Sequence, residues 1–129
     1  MRRKSLTPLG ETEMEILHHV WQLKSATVGD VRDRIQQERP IAYTTVMTVM
    51  RNLAGKGYLT FEKEGNTYIY SPLQSAGDVQ RSLLRDLVTK VFRGSPTALV
   101  QTLVSDEELS DQDIERIRNL IDGMEGDHE

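Results

Sequence analysis

Apolar residues recur along this chain first at a helical spacing, then briefly in alternation, then at a helical spacing again. After a Thr7-Pro8 break, Leu9, Met14, Ile16, Leu17, Val20 and Trp21 predict a first helix from about Gly10 to Leu23. Thr27-Val28-Gly29-Asp30 reads as a capping box, so a second helix starts there, turns Val31 and Ile35 inward and ends before Pro40. The third helix starts near Ala42. Val46, Val49, Met50 and Leu53 fall on one side of it, Thr44, Thr48, Arg51 and Gly55 on the other, with Thr45, Met47 and Asn52 at the edges. Gly55-Lys56-Gly57 stops it. Two β-rich segments follow, Tyr58 to Glu64 and Thr67 to Ser71, joined by Gly65-Asn66 and closed by Pro72. A helix pair with short-turn spacing followed at once by a hairpin predicts a winged helix-turn-helix over residues 1–72.

Behind Pro72 the pattern is helical only. Ser75 opens a helix carrying Val79, Leu83, Leu84, Leu87, Val88, Val91 and Phe92. Gly94-Ser95-Pro96 breaks it and opens another with Leu99, Val100, Leu103 and Val104. Ser110 opens the last, with Ile114, Ile117, Leu120, Ile121 and Met124. Residues 73–129 are too few to enclose a core with these stripes, which predicts a helical dimerisation region completed by a second copy. Leu83, Leu87, Val91, Leu99, Leu103, Ile117 and Ile121 are the candidate interlocking set. The predicted fold class is therefore mainly α with a small hairpin wing.

Charge refines this picture. The net charge is −4, yet residues 1–72 carry 10 Lys/Arg against 8 Asp/Glu, whereas 73–129 carry 6 against 12. A mildly cationic front half suits phosphates. The third helix fits a major groove, where Thr44, Thr45 and Thr48 offer hydroxyls and methyls and Arg51 reaches guanine or phosphate. Arg2, Arg3, Lys4, Lys56 and Lys63 are candidate phosphate cations, Tyr43 a candidate backbone contact, and the Ala42 to Thr45 amides an anion-friendly helix end. Tyr68, on a wing strand, offers a hydroxyl to the DNA backbone as Tyr43 does, but an aromatic at either place reads at least as readily as partial core, and Tyr68 is left out of the candidates.

Other chemistries find no support in the residues. Cysteine is absent, which excludes disulfides and thiolate sites. His18 and His19 are adjacent and point apart on a helix, and His128 sits on the tail, so they read as surface or packing residues and no metal or cofactor is expected. No phosphate loop, nucleophile elbow or catalytic carboxylate pair is present, so the chain reads as no enzyme. No apolar stretch is long enough to span a membrane and nothing apolar follows the basic start, so the expected location is cytoplasmic.

Tyr43-Thr44-Thr45-Val46 with Lys56-Gly57 ten residues after its Val, Glu13 to Trp21 before it, Tyr70-Ser71-Pro72 after it, and Leu99-Val100 with Glu107-Glu108-Leu109 behind resemble the penicillinase and methicillin-resistance repressors (BlaI/MecI/CopY type) over nearly the whole chain. The resemblance implies a homodimer that represses promoters through a pseudo-palindromic operator in double-stranded DNA. In several members a membrane metalloprotease sensor leads to cleavage, and the bond that aligns here is Thr102–Leu103. Members often carry a basic residue one step after Arg51, where this chain has Asn52, and Arg after the wing glycine, where it has Asn66. The cysteine-rich tail of the copper-responsive branch is absent. A winged helix that docks proteins and binds no DNA is the competing reading, favoured by the low positive charge and the missing wing Arg; salt dependence separates the two.

Overall fold

The computed structural model describes residues 9–106 and 109–127. Six helices and one hairpin follow each other as α1 (Glu11–Leu23), α2 (Val28–Gln36), α3 (Tyr43–Gly55), β1 (Leu59–Glu64), β2 (Thr67–Pro72), α4 (Ala76–Lys90), α5 (Pro96–Ser105) and α6 (Asp111–Asp127). The backbone divides into two compact units between Leu84 and Arg85, inside α4. Each is described on its own.

In the first unit, Ile16, Leu17 and Val20 of α1, Val31 and Ile35 of α2, and Val46, Met50 and Leu53 of α3 form one core with Ala26, Val28, Leu59 and Tyr70. Val49, expected among them, is only half-buried at the edge of this cluster. α2 begins as its sequence requires. The Thr27 hydroxyl accepts from the Asp30 amide and the Asp30 carboxylate accepts from the Thr27 amide, each at 3.0 Å. α3 ends in a Schellman motif: Gly57, at φ 90°, donates to Ala54, and Tyr58 donates to Leu53. A side chain at Gly57 is strained in that left-handed conformation.

The strands pair antiparallel with Leu59 opposite Pro72, Phe61 opposite Tyr70 and Lys63 opposite Tyr68. Only Gly65 of the two-residue loop takes a positive φ, 63°, as a type II′ turn requires. A bridge ties the hairpin to the α1–α2 loop: Ala26 donates to the Tyr70 carbonyl at 2.9 Å and Tyr70 donates to the Ala26 carbonyl at 2.8 Å. The indole N–H of Trp21 holds the exit of the wing by donating to the Gln74 carbonyl at 3.0 Å.

Beyond the wing, Ser75, Ser95 and Ser110 accept from the amides of Asp78, Ala98 and Asp113, capping α4, α5 and α6. α4 stops at Lys90 rather than running through Phe92 as its apolar spacing predicts. Arg93 and Gly94 both adopt positive φ, and this turns the chain out of the helix, leaving Val91 and Phe92 in the turn. Among the described residues of α5 and α6 none is fully buried.

Candidate nucleic-acid interface

α3 is amphipathic in the sense its sequence demands. Val46, Met50 and Leu53 are wholly buried, while Tyr43, Thr44, Thr45, Thr48, Arg51 and Asn52 are exposed. Its polar face is therefore uncovered within its own unit. No acidic residue lies in its first turn. Ala42 supplies no capping side chain, and the Thr45 and Val46 amides both donate to its carbonyl at 3.1 and 3.2 Å. The Tyr43 and Thr44 amides consequently have no acceptor among the described residues, which leaves the positive end of the helix dipole open to an anion.

The approach to α3 is held by side chains from α2. Gln36 accepts from the Ile41 amide at 3.1 Å, and Arg32 donates to the Ile41 carbonyl at 3.4 Å. Arg39 pairs with Glu15 of α1 at 2.6 Å. Arg34 donates to His19 Nδ1 at 3.0 Å and to Gln22, which locks α2 onto α1. This bond needs neutral His19, and burial together with the Arg34 charge lowers its pKa against the opposing pull of Glu15 and Glu38. His18 packs edge-on against Trp21, so both histidines of α1 serve packing.

The cations on α3 and the wing divide into two kinds. Lys56, expected to bind phosphate, is paired with Glu13 of α1 at 2.6 Å. Burial raises the Glu13 carboxyl, but the Lys56 and Gly10 hydrogen bonds and the Lys56 charge outweigh it and hold the group below its ordinary value. Arg51 and Lys63, by contrast, carry no ion pair among the described residues, and Lys63 lies 5.9 Å from the centre of the Tyr68 ring. Arg2, Arg3 and Lys4 lie outside the described residues. Without these three the front half holds 7 Lys/Arg against 8 Asp/Glu, so its positive excess resides in them.

Of the two sequence readings of Tyr68, partial core does not hold. Tyr68 is 46% exposed, because its pairing with Lys63 places it towards the wing tip, and Tyr70 is the tyrosine that enters the core. Phe61 is equally open at 48% and meets Tyr68 edge-on at 5.2 Å. Burial raises the Tyr70 hydroxyl pKa, the Arg51 charge opposes this, and Tyr68 and Tyr43 add to it. Phe61 carried no separate signal in the sequence, although the alternation Phe61, Lys63 along β1 is a clue to a shared face.

In the rear helices, Leu87, Val91, Leu103 and Ile121 are exposed, while Leu83, Leu99 and Ile117 are half-buried. Thr102 and Leu103 lie in α5, where the Thr102 carbonyl accepts from the Asp106 amide at 3.0 Å and its hydroxyl donates to Ala98. Among the described residues no group of His, Cys, Asp or Glu is placed to hold a metal, and no helix is long and apolar enough to cross a membrane.

A sequence profile of the penicillinase repressor family matches residues 9–123. The chain belongs to the penicillinase repressor family. This family comprises transcriptional repressors, not enzymes. Among its relatives, the methicillin resistance regulatory protein MecI of Mammaliicoccus sciuri is 26% identical over 113 residues, covering 88% of this chain and 92% of that protein. The transcriptional regulator BlaI of Mycobacterium tuberculosis is 27% identical over 125 residues, covering 95% and 89%. The structure of H. salinarum RosR shares the fold with a TM-score of 0.52 at 12% identity, covering 92% of this chain and 94% of that one. This member of the penicillinase repressor family is thus a winged helix-turn-helix followed by a helical region.

Proposed function

We propose that this penicillinase repressor family member acts as a homodimer that binds a pseudo-palindromic operator, each copy placing α3 in a major groove. The observation that carries the reading is the uncovered face of α3: Thr44, Thr45, Thr48, Arg51 and Asn52 are exposed, no acid stands in the first turn, and the helix start has unmet amides. Hydroxyls and Arg51 read base edges, and the open helix end takes a phosphate. Arg2, Arg3, Lys4 and Lys63 add phosphate contacts. The relatives, named as methicillin resistance and BlaI regulators, support the regulatory role.

Exposed apolar residues behind the wing support the dimer. Val91 at 62%, Leu120 at 69% and Met124 at 63% exposure leave apolar surface in water. A second copy that covers those stripes removes it, with Leu83, Leu87, Leu99, Leu103, Ile117 and Ile121 contributing. Two α3 helices then meet successive major grooves about 10 base pairs apart or a multiple of that. Release by a protease under a membrane sensor, with Thr102–Leu103 as the bond cut, requires α5 to open first, because the carbonyl under attack is engaged by Asp106.

The test is a salt titration of the full chain on a duplex from its own upstream region and on a scrambled duplex, with sedimentation of the free protein. The expected result is a dimer at micromolar concentration, a steep loss of affinity with salt and a preference for the native duplex. A monomer overturns the dimer. The loss of either the salt dependence or the sequence preference overturns operator recognition, and the loss of both favours a protein-docking role.

A further inference from the structure

Phe61 packs on Tyr68 at 5.2 Å and on Tyr70 at 5.6 Å, yet about half of Phe61 and of Tyr68 stays in solvent. Alternation along the paired strands puts Leu59, Phe61 and Lys63 of β1 on one face with Tyr70 and Tyr68 of β2. At the base of the hairpin this face is core, since Leu59 and Tyr70 lie in one cluster with Val46, Met50 and Leu53 of α3. Towards the tip the same face emerges into solvent as Phe61, Tyr68 and Lys63. Thr60, Glu62 and Glu64 alternate onto the opposite face, so the acids of β1 are turned away from the aromatic side and its cation is turned towards it. From base to tip the face runs from apolar through amphipathic to cationic. The tip itself is Gly65-Asn66, which offers no cation to a minor groove.

We propose that the wing holds the duplex by this side rather than by its tip, with Phe61 and Tyr68 packed on deoxyribose rings beside the groove that α3 enters, and with Lys63 and the Tyr68 hydroxyl on the neighbouring phosphate. A sugar-phosphate strand presents C–H surface and anionic oxygens in turn, which complements aromatic surface next to a lone cation and disfavours the acidic face. Arg51 on α3, like Lys63, carries no ion pair among the described residues. The inference rests on the proposed operator binding and adds to it a sequence-independent grip.

The experiment uses the full chain on a labelled duplex from its own upstream region and on a mixed-sequence duplex, read by fluorescence anisotropy. Phe61→Ala with Tyr68→Ala is expected to weaken both duplexes about tenfold with an unchanged salt slope, and Lys63→Gln to reduce the slope by about one. Glu62→Gln is expected to leave affinity no weaker. Hydroxyl-radical footprinting of the wild-type complex is expected to protect sugars flanking the groove, so a poorly folded double variant does not shield the idea. Equal binding by the double variant, no flanking sugar protection, a loss confined to the native duplex, or a changed oligomeric state, which assigns the face to a second copy, each overturns the grip while wild-type operator binding stands. Wild-type protein that binds neither duplex in a salt-dependent way overturns both readings.

Discussion

Replacing Glu13 by Gln separates two roles that Lys56 can play. Glu13 Oε1 accepts from the Gly10 amide at 2.9 Å and Oε2 accepts from Lys56 at 2.6 Å. Gln keeps an oxygen for the Gly10 amide and loses the charge that holds Lys56. The Glu13 side chain is 17% exposed and that of Lys56 37%, so solvent screens the pair in part. Screening places its contribution at the upper end of the exposed range, about 1 kcal/mol. That corresponds to a melting temperature lower by about 4 °C for a domain of this size. Because the folded Glu13 carboxyl titrates below its ordinary 4.5, it is ionised in the fold before it is ionised in the unfolded chain. Its stabilisation is therefore complete above that ordinary value and disappears as pH falls through the folded one. Thermal melts by circular dichroism are expected to show the full gap between wild type and Glu13→Gln at neutral pH and a closing gap in acid. DNA binding moves the other way: freed Lys56 meets a phosphate, and the salt slope steepens by about one. A gap that does not vary with pH, or a double-mutant cycle with Lys56→Gln that returns no coupling, refutes the assignment of Lys56 to a brace between α1 and α3.

Two further perturbations test the frame around α3. Thr27→Ala removes the hydroxyl acceptor at the start of α2 and is expected to cost about 1 kcal/mol in denaturant unfolding, while Thr27→Ser retains the wild-type midpoint within a few tenths. His19 has a folded pKa below its ordinary 6.5, so its contribution is whole above 6.5 and lost as pH falls through the folded value; the melting temperature should drop on acidification, and His19→Asn, which keeps an acceptor for Arg34, should flatten that part of the profile.

Local signals announced the parts of this fold that are local in origin. The hydroxyl caps at Thr27, Ser75, Ser95 and Ser110, the Gly57 stop and the Gly65 turn each act within a few residues, and the burial of Val46, Met50 and Leu53 follows from helical spacing. Pairings across the tertiary structure had no such announcement. Lys56 reads as a free cation until α1 brings Glu13 beside it, and nothing near His19 points to Arg34. The end of α4 was concealed for another reason: Arg93 takes a positive φ that its side chain does not favour, so apolar spacing runs past the break. For the candidate interface, α3 was legible from its polarity, whereas the openness of Phe61 and Tyr68 depends on strand register, where a shift of one residue exchanges the faces.

The Ala26–Tyr70 bridge has a consequence for how the wing moves. A two-stranded ribbon alone is only marginally stable in water. Here its base is stitched by two hydrogen bonds to the loop between the first two helices. Amide exchange at Ala26 and Tyr70 should accordingly be as slow as in the core helices, while amides around Gly65 and Asn66 exchange freely. The hairpin thus behaves as a stiff stalk with a loose end, and extra residues spliced into that end should leave the three-helix body undisturbed.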